Sequence, residues 1–117
     1  MSSVDLEYNH GHDRRFNEWV DERIKHGVCQ CDVWNLDNFI LHILVKGLRD
    51  LAEITDGHPD AFESQDEWEA WLNEVADDFA QAIGLLDSIY QTDYDQAKEV
   101  IREAFAKLSE HFTDLWD

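Results

Sequence analysis

The chain has one proline, Pro59, and five glycines in 117 residues, so it excludes collagen-like, Pro-rich and Gly-rich linker architectures and leaves long stretches free to be helical. Its only cysteines, Cys29 and Cys31, are one residue apart, which excludes a secreted disulfide framework and points to reduced thiols. Long apolar runs are missing too. The longest, residues 39–45, is interrupted by His42 and is too short to cross a bilayer. The first residues, "MSSVDLEYNHGHD", lack the basic and apolar regions of a signal peptide, so a cytoplasmic protein with no membrane partner is expected. The scarcest class is the bases: nine Lys and Arg against 27 Asp and Glu give a net charge of −18. Nucleic-acid binding depends on Lys and Arg displacing counterions from phosphates, so direct binding to DNA or RNA is excluded as an expectation, and an anionic membrane surface with it.

Strong acidity with few aromatics would indicate disorder, but five Trp, six Phe and three Tyr accompany a regular apolar pattern here. Residues 13–26 place Phe16, Trp19, Val20 and Ile24 on one helical face, with Asp13 as a cap and Gly27 just past the end. In "DVWNLDNFILHILVKGLRDLAEI", residues 32–54, Asp32 or Asn35 can cap a helix carrying Leu36, Phe39, Ile40, Ile43, Leu44, Leu48, Leu51 and Ile54. Trp34 is expected in the core or as a staple, and Gly47 where another helix or a Trp packs closely. "SQDE" reads as a capping box opening a third helix, with Trp68, Leu72, Val75, Phe79, Ile83 and Leu86 in its stripe up to about Tyr90 and Gly84 as a weak point. Thr92 or Asp93 starts the last helix, lined by Ala97, Val100, Ile101, Ala104, Leu108, Phe112 and Leu115. With no period-2 segment, repeat or linker, the expectation is all-α: a single-domain bundle of about four helices over residues 1–117, with residues 1–12 and the "DGHPDAF" loop the most mobile.

The charge is unevenly placed. Residues 59–117 hold 16 acids against three bases, and no Lys or Arg occurs between Arg49 and Lys98. An acidic face on the third helix follows, with Glu63, Asp66, Glu69, Glu74, Asp77 and Asp78 as candidate partner-binding residues. His42, Lys46 and Arg49, spaced four and three, form a polar stripe; it is either a solvated helix face or a grip on an anionic ligand or an intramolecular acid. His10, His12, His26, Cys29 and Cys31 are zinc- and copper-binding types, but their spacing is not that of paired two-ligand knuckles, so no metal or other cofactor is expected from them. No Gly-rich phosphate loop and no Ser, His and Asp arrangement supports covalent catalysis.

Two resemblances add to this reading. "NEVADD", with Glu74 and Asp77, is similar to the second acidic motif of all-α NTP pyrophosphatases of the MazG type, and Asp50 with Glu53 in "RDLAE" stands in the place of their upstream acids. That resemblance implies a Mg²⁺-dependent nucleotide hydrolase using Asp50, Glu53, Glu74 and Asp77. "CDVWNLD", "LRDLAE", the Gly57–Pro59 turn and the helix Trp68–Asp77 together resemble small uncharacterised bacteriophage proteins. It implies a phage protein working in the host cytoplasm, where small acidic proteins occupy the nucleic-acid grooves of defence enzymes. The leading expectation is a non-enzymatic acidic inhibitor of a basic protein, with a homo-oligomer left open. The alternatives are the Mg²⁺-dependent pyrophosphatase, a small-ligand bundle using His42, Lys46 and Arg49, and a phage structural or accessory protein.

Overall fold

The computed structural model describes residues 4–116, and all their regular structure is helical. Six α-helices follow in order: α1 (Leu6–His10), α2 (Phe16–His26), α3 (Gln30–Val33), α4 (Leu36–Ile54), α5 (Gln65–Leu86) and α6 (Gln91–Glu110), then a 3₁₀ turn at Phe112–Asp114. Four of them have the length the apolar periodicity predicts. The chain divides into two compact units, residues 1–43 and 44–117, with the division falling inside α4.

In the first unit α1 starts where the Asp5 carboxylate accepts the Tyr8 N–H at 2.8 Å; residues 1–3 of the segment expected to be mobile lie outside the described residues. Asp13 does not cap α2 directly. Its carboxylate accepts the backbone N–H of Arg15, and Arg15 is the capping position. Gly27 ends α2 at φ +78°, a left-handed conformation that favours glycine, as its place after the apolar pattern predicts. Leu6, Trp19, Cys29 and Cys31 make the core, with Phe16 and Val20 packed against it. Ile24 was expected there and is instead 77% exposed, so the buried arc of α2 is narrower than its apolar stripe. Trp34 is 57% exposed, yet its ring meets Trp19 and His10 edge-on, and the Arg15 guanidinium lies 4.6 Å from the Trp19 ring centre and 5.4 Å from that of Trp34. Trp34 is therefore not buried in the core but part of an aromatic and cationic cluster at the unit's surface.

Along α4, Phe39, Leu41, Leu48 and Ala52 are buried, while Leu36, Ile40, Ile43 and Ile54 are exposed. Apolar residues occupy more of the circumference than one contact face can cover, so the periodicity selected both sides of the arc and passed over Leu41. Gly47 was expected at a close packing contact, but a Cβ placed there would meet nothing within 4 Å.

In the second unit α5 and α6 pack along each other through fully buried small and large residues: Leu72, Val75, Ala76, Phe79 and Ala82 from α5, and Ala97 and Ala104 from α6. The alanines let the backbones approach while Phe79 fills the space between, meeting Phe105 edge-on at 5.0 Å. Ser64 caps α5 through its hydroxyl, which accepts the Glu67 N–H at 3.2 Å; the Glu67 carboxylate reaches back one residue further than a capping box requires and accepts the N–H of Glu63. α5 ends at Leu86 and α6 starts at Gln91, and Phe112, expected in the α6 stripe, is exposed because the helix has already given way to the 3₁₀ turn. Trp68, Trp71, Phe62 and His111 form a second aromatic cluster, with the two indoles stacked at 5.3 Å. No described helix is long and apolar enough to cross a membrane.

Candidate functional site

The acidic face of α5 divides into two halves with different electrostatics. Toward its C-terminal half, each predicted partner-binding acid is met by a base. Arg49 of α4 donates to Asp77 at 2.9 Å, and Lys107 of α6 donates to Glu74 at 3.1 Å and to Asp78 at 2.9 Å. The two carboxylates hold the Lys107 ammonium above its usual pKa, first through Asp78 and then through Glu74. These exposed bridges hold α4 and α6 on α5 with a modest contribution each. Around the helix N-terminus the situation reverses. Glu63 and Asp66 are exposed and Glu69 is half-buried, and among the described residues none has a Lys, Arg or His within ion-pair distance. That end of α5 is therefore the part of the acidic face that no base neutralises, its carboxylates meeting only the partial positive charge of the helix N-terminus and, at Glu69, the Gln65 amide at 3.0 Å.

The polar stripe of α4 is partly committed. Lys46 donates to Asp50 at 2.6 Å one turn along the helix, and Arg49 holds Asp77, the intramolecular acid that its spacing allowed. His42 is half-buried and has a partner of its own. The four acids of the pyrophosphatase resemblance are distributed among these bridges: Asp50 on Lys46, Asp77 on Arg49 and Glu74 on Lys107, with Glu53 exposed. Their carboxylates are not among the described groups that converge closely enough to share an ion.

One convergent group does exist, and the sequence reading did not assemble it. The ligand atoms of Cys29, Cys31 and Asp32 lie within 4.8 Å of one another, all buried. His10, His12 and His26, named with the two thiols in the sequence, are not part of it. The Asp32 carboxylate accepts from the Arg23 guanidinium through Nε at 3.2 Å and through Nη2, from the Cys29 N–H at 2.9 Å and from the Cys29 Sγ at 3.2 Å. Arg23 also donates to the Val4 carbonyl, tying the chain ahead of α1 to α2 and α3. Burial pushes the Asp32 carboxyl up, but the Arg23 and Cys29 hydrogen bonds outweigh it and hold it below the usual carboxylate range. Burial, with the Cys29 thiol beside it, pushes Cys31 up to about 12, so it is a thiol and not a thiolate at neutral pH. A cation at this point would sit against the Arg23 guanidinium and compete with it for Asp32. The cluster thus works as a neutralised internal tie. Cys29 is the capping position of α3, and Asp32, three residues on inside the helix, returns its side chain to the Cys29 N–H, a local signal hidden behind its reading as a cap for α4.

Comparison of the chain with protein-family models, with curated proteins and with solved structures finds no match.

Proposed function

We propose that this chain is an acidic helical protein that binds a basic, nucleic-acid-binding protein and inhibits it by presenting carboxylates where phosphates would lie. Its resemblance to phage proteins makes a host or defence protein in the cytoplasm the target class. The observation that carries the proposal is the uncompensated trio Glu63, Asp66 and Glu69 at the start of α5, in a half-chain with 16 acids and three bases. Asp66 and Glu69, fixed on a capped helix that Glu63 precedes by two residues, keep their spacing, and the net field of the chain draws a positive surface toward them. Glu74, Asp77 and Asp78 extend the same face, but their charge is shared with Arg49 and Lys107.

The test uses two sets of reversals. Glu63→Lys, Asp66→Lys and Glu69→Lys together should leave helix content unchanged and slow association with the partner by about tenfold or more, because steering acts mainly on the on-rate. Reversing Asp77 and Asp78 is not a clean experiment, since it places Lys against Arg49 and Lys107. Unchanged association after the first set refutes the proposal.

A further inference from the structure

A cavity of about 280 Å³ opens in the second unit between the Thr55–Pro59 turn, Trp68, Asp114 and Trp116. We propose that it binds an alkylammonium group, the chemistry shared by small organic amines and the lysine side chain. Three features of the lining point to that class. Trp116, 73% exposed, supplies the aromatic surface, the best side-chain partner for a cation, while Trp68, 1% exposed, backs the wall behind it. Asp56 and Asp114 supply two carboxylates, and no Lys or Arg lines the cavity. The Thr55 hydroxyl is the third. Thr55 is 93% buried, and among the described residues its hydroxyl makes no hydrogen bond to the protein, although its backbone N–H and carbonyl are both satisfied. A buried hydroxyl without a partner is costly, and an ammonium N–H would satisfy its lone pairs.

The cavity is also built in advance. Gln65 clamps the turn from both sides: its Oε1 accepts the Gly57 N–H at 3.0 Å and its Nε2 donates to the Thr55 carbonyl at 2.7 Å. Gly57 sits at φ +123°, a conformation that L side chains rarely adopt. At the far wall His111 Nδ1 meets Asp114 Oδ2 at 3.1 Å, which orients that carboxylate. A rim fixed in this way loses little entropy when it is filled. Aromatic walls with carboxylates and one buried hydroxyl suit an organic cation better than a bare metal ion, since indole rings offer a metal no donor atoms. This site does not rest on the acidic-face reading. Glu63, Asp66 and Glu69 do not line it, but Glu69 accepts from the Gln65 Nε2 at 3.0 Å, so the double reversal Glu63→Lys, Asp66→Lys is the one that spares the cavity and separates the two failures.

The experiment follows the indole N–H signals of the full chain by NMR at physiological salt, which suppresses diffuse attraction to the net charge. The probes are n-butylammonium, its neutral isostere 1-butanol, and a short peptide carrying one lysine or norleucine in its place. Saturable shifts with butylammonium or the lysine peptide, at least about tenfold stronger than with the neutral counterpart, are expected. Trp116→Ala should abolish them, and Thr55→Val should weaken them about tenfold. Lysine-peptide binding tenfold tighter than butylammonium assigns the cation to a partner's side chain; equal binding assigns it to a free amine; both support the site. Equal binding of the neutral isosteres overturns the proposal, as does an undiminished response of Trp116→Ala, or no saturation with any probe by about 10 mM.

Discussion

Asp32 is the most heavily engaged carboxylate in the first unit: it carries the Arg23 guanidinium and the Cys29 N–H while its side chain is 2% exposed. Removing one member of a buried pair leaves the other charge unbalanced, so Asp32→Ala should destabilise the folded chain by about 3 kcal/mol, read from urea midpoints. The sign of the pH dependence follows from the lowered pKa. A carboxyl held below its unfolded value of about 3.9 stabilises the fold above that pH and loses the contribution as pH falls through the folded pKa. Wild type should show this acid loss and Asp32→Asn a smaller one, the remainder including Asp13, whose carboxyl the Arg15 hydrogen bond lowers to about 2. The neighbouring thiols give a second check. With Cys31 pushed up to about 12 and both sulfurs buried, a thiol-alkylating reagent at pH 8 should modify neither cysteine in the native protein and both in denaturant. Rapid native modification would contradict the arrangement. The reduced, packed state of the thiols was legible in their spacing; the tie was not, because Arg23 lies nine residues away and tertiary pairing leaves no periodic trace.

Among the helices, legibility followed the strength of local chemistry. The Ser64 cap, the Gly27 terminus and the stripe of α5 are all short-range signals, and the structure places them where the sequence indicated. α1 was missed because five residues hold too little pattern to distinguish a capped turn from a tail. The sides of α4 were misread because its apolar arc is wider than its buried face, and periodicity does not say which part is wet. Gly47 shows the same limit from the other direction. Both Gly47 and Gly84 lie in helix interiors with open space where a Cβ would go, and neither has a positive φ. Gly47→Ala and Gly84→Ala should therefore each stabilise the protein by up to about 1 kcal/mol in thermal or urea melts. A loss of stability at Gly47 would mean that the exposed side of α4 is occupied by something the monomer does not contain.

For the molecule as a whole, the all-α class was legible from three long apolar stripes, and the acidic face from the absence of Lys and Arg between Arg49 and Lys98. The distribution of that charge was not legible. Arg49 and Lys107 are 28 and 29 residues or more from the acids they meet, and only folding brings them onto Asp77, Glu74 and Asp78. The result concentrates uncompensated charge at Glu63, Asp66 and Glu69, near a cavity with its own carboxylates at Asp56 and Asp114. The most direct test of the account is the association rate with a basic, nucleic-acid-binding partner, measured for wild type and for the Glu63→Lys, Asp66→Lys, Glu69→Lys variant across ionic strength. Steering by this face requires a wild-type rate that falls steeply as the Debye length drops below about 8 Å, and a variant rate that starts about tenfold lower and changes little with salt. Equal rates for the two proteins, with no dependence on salt, would contradict it.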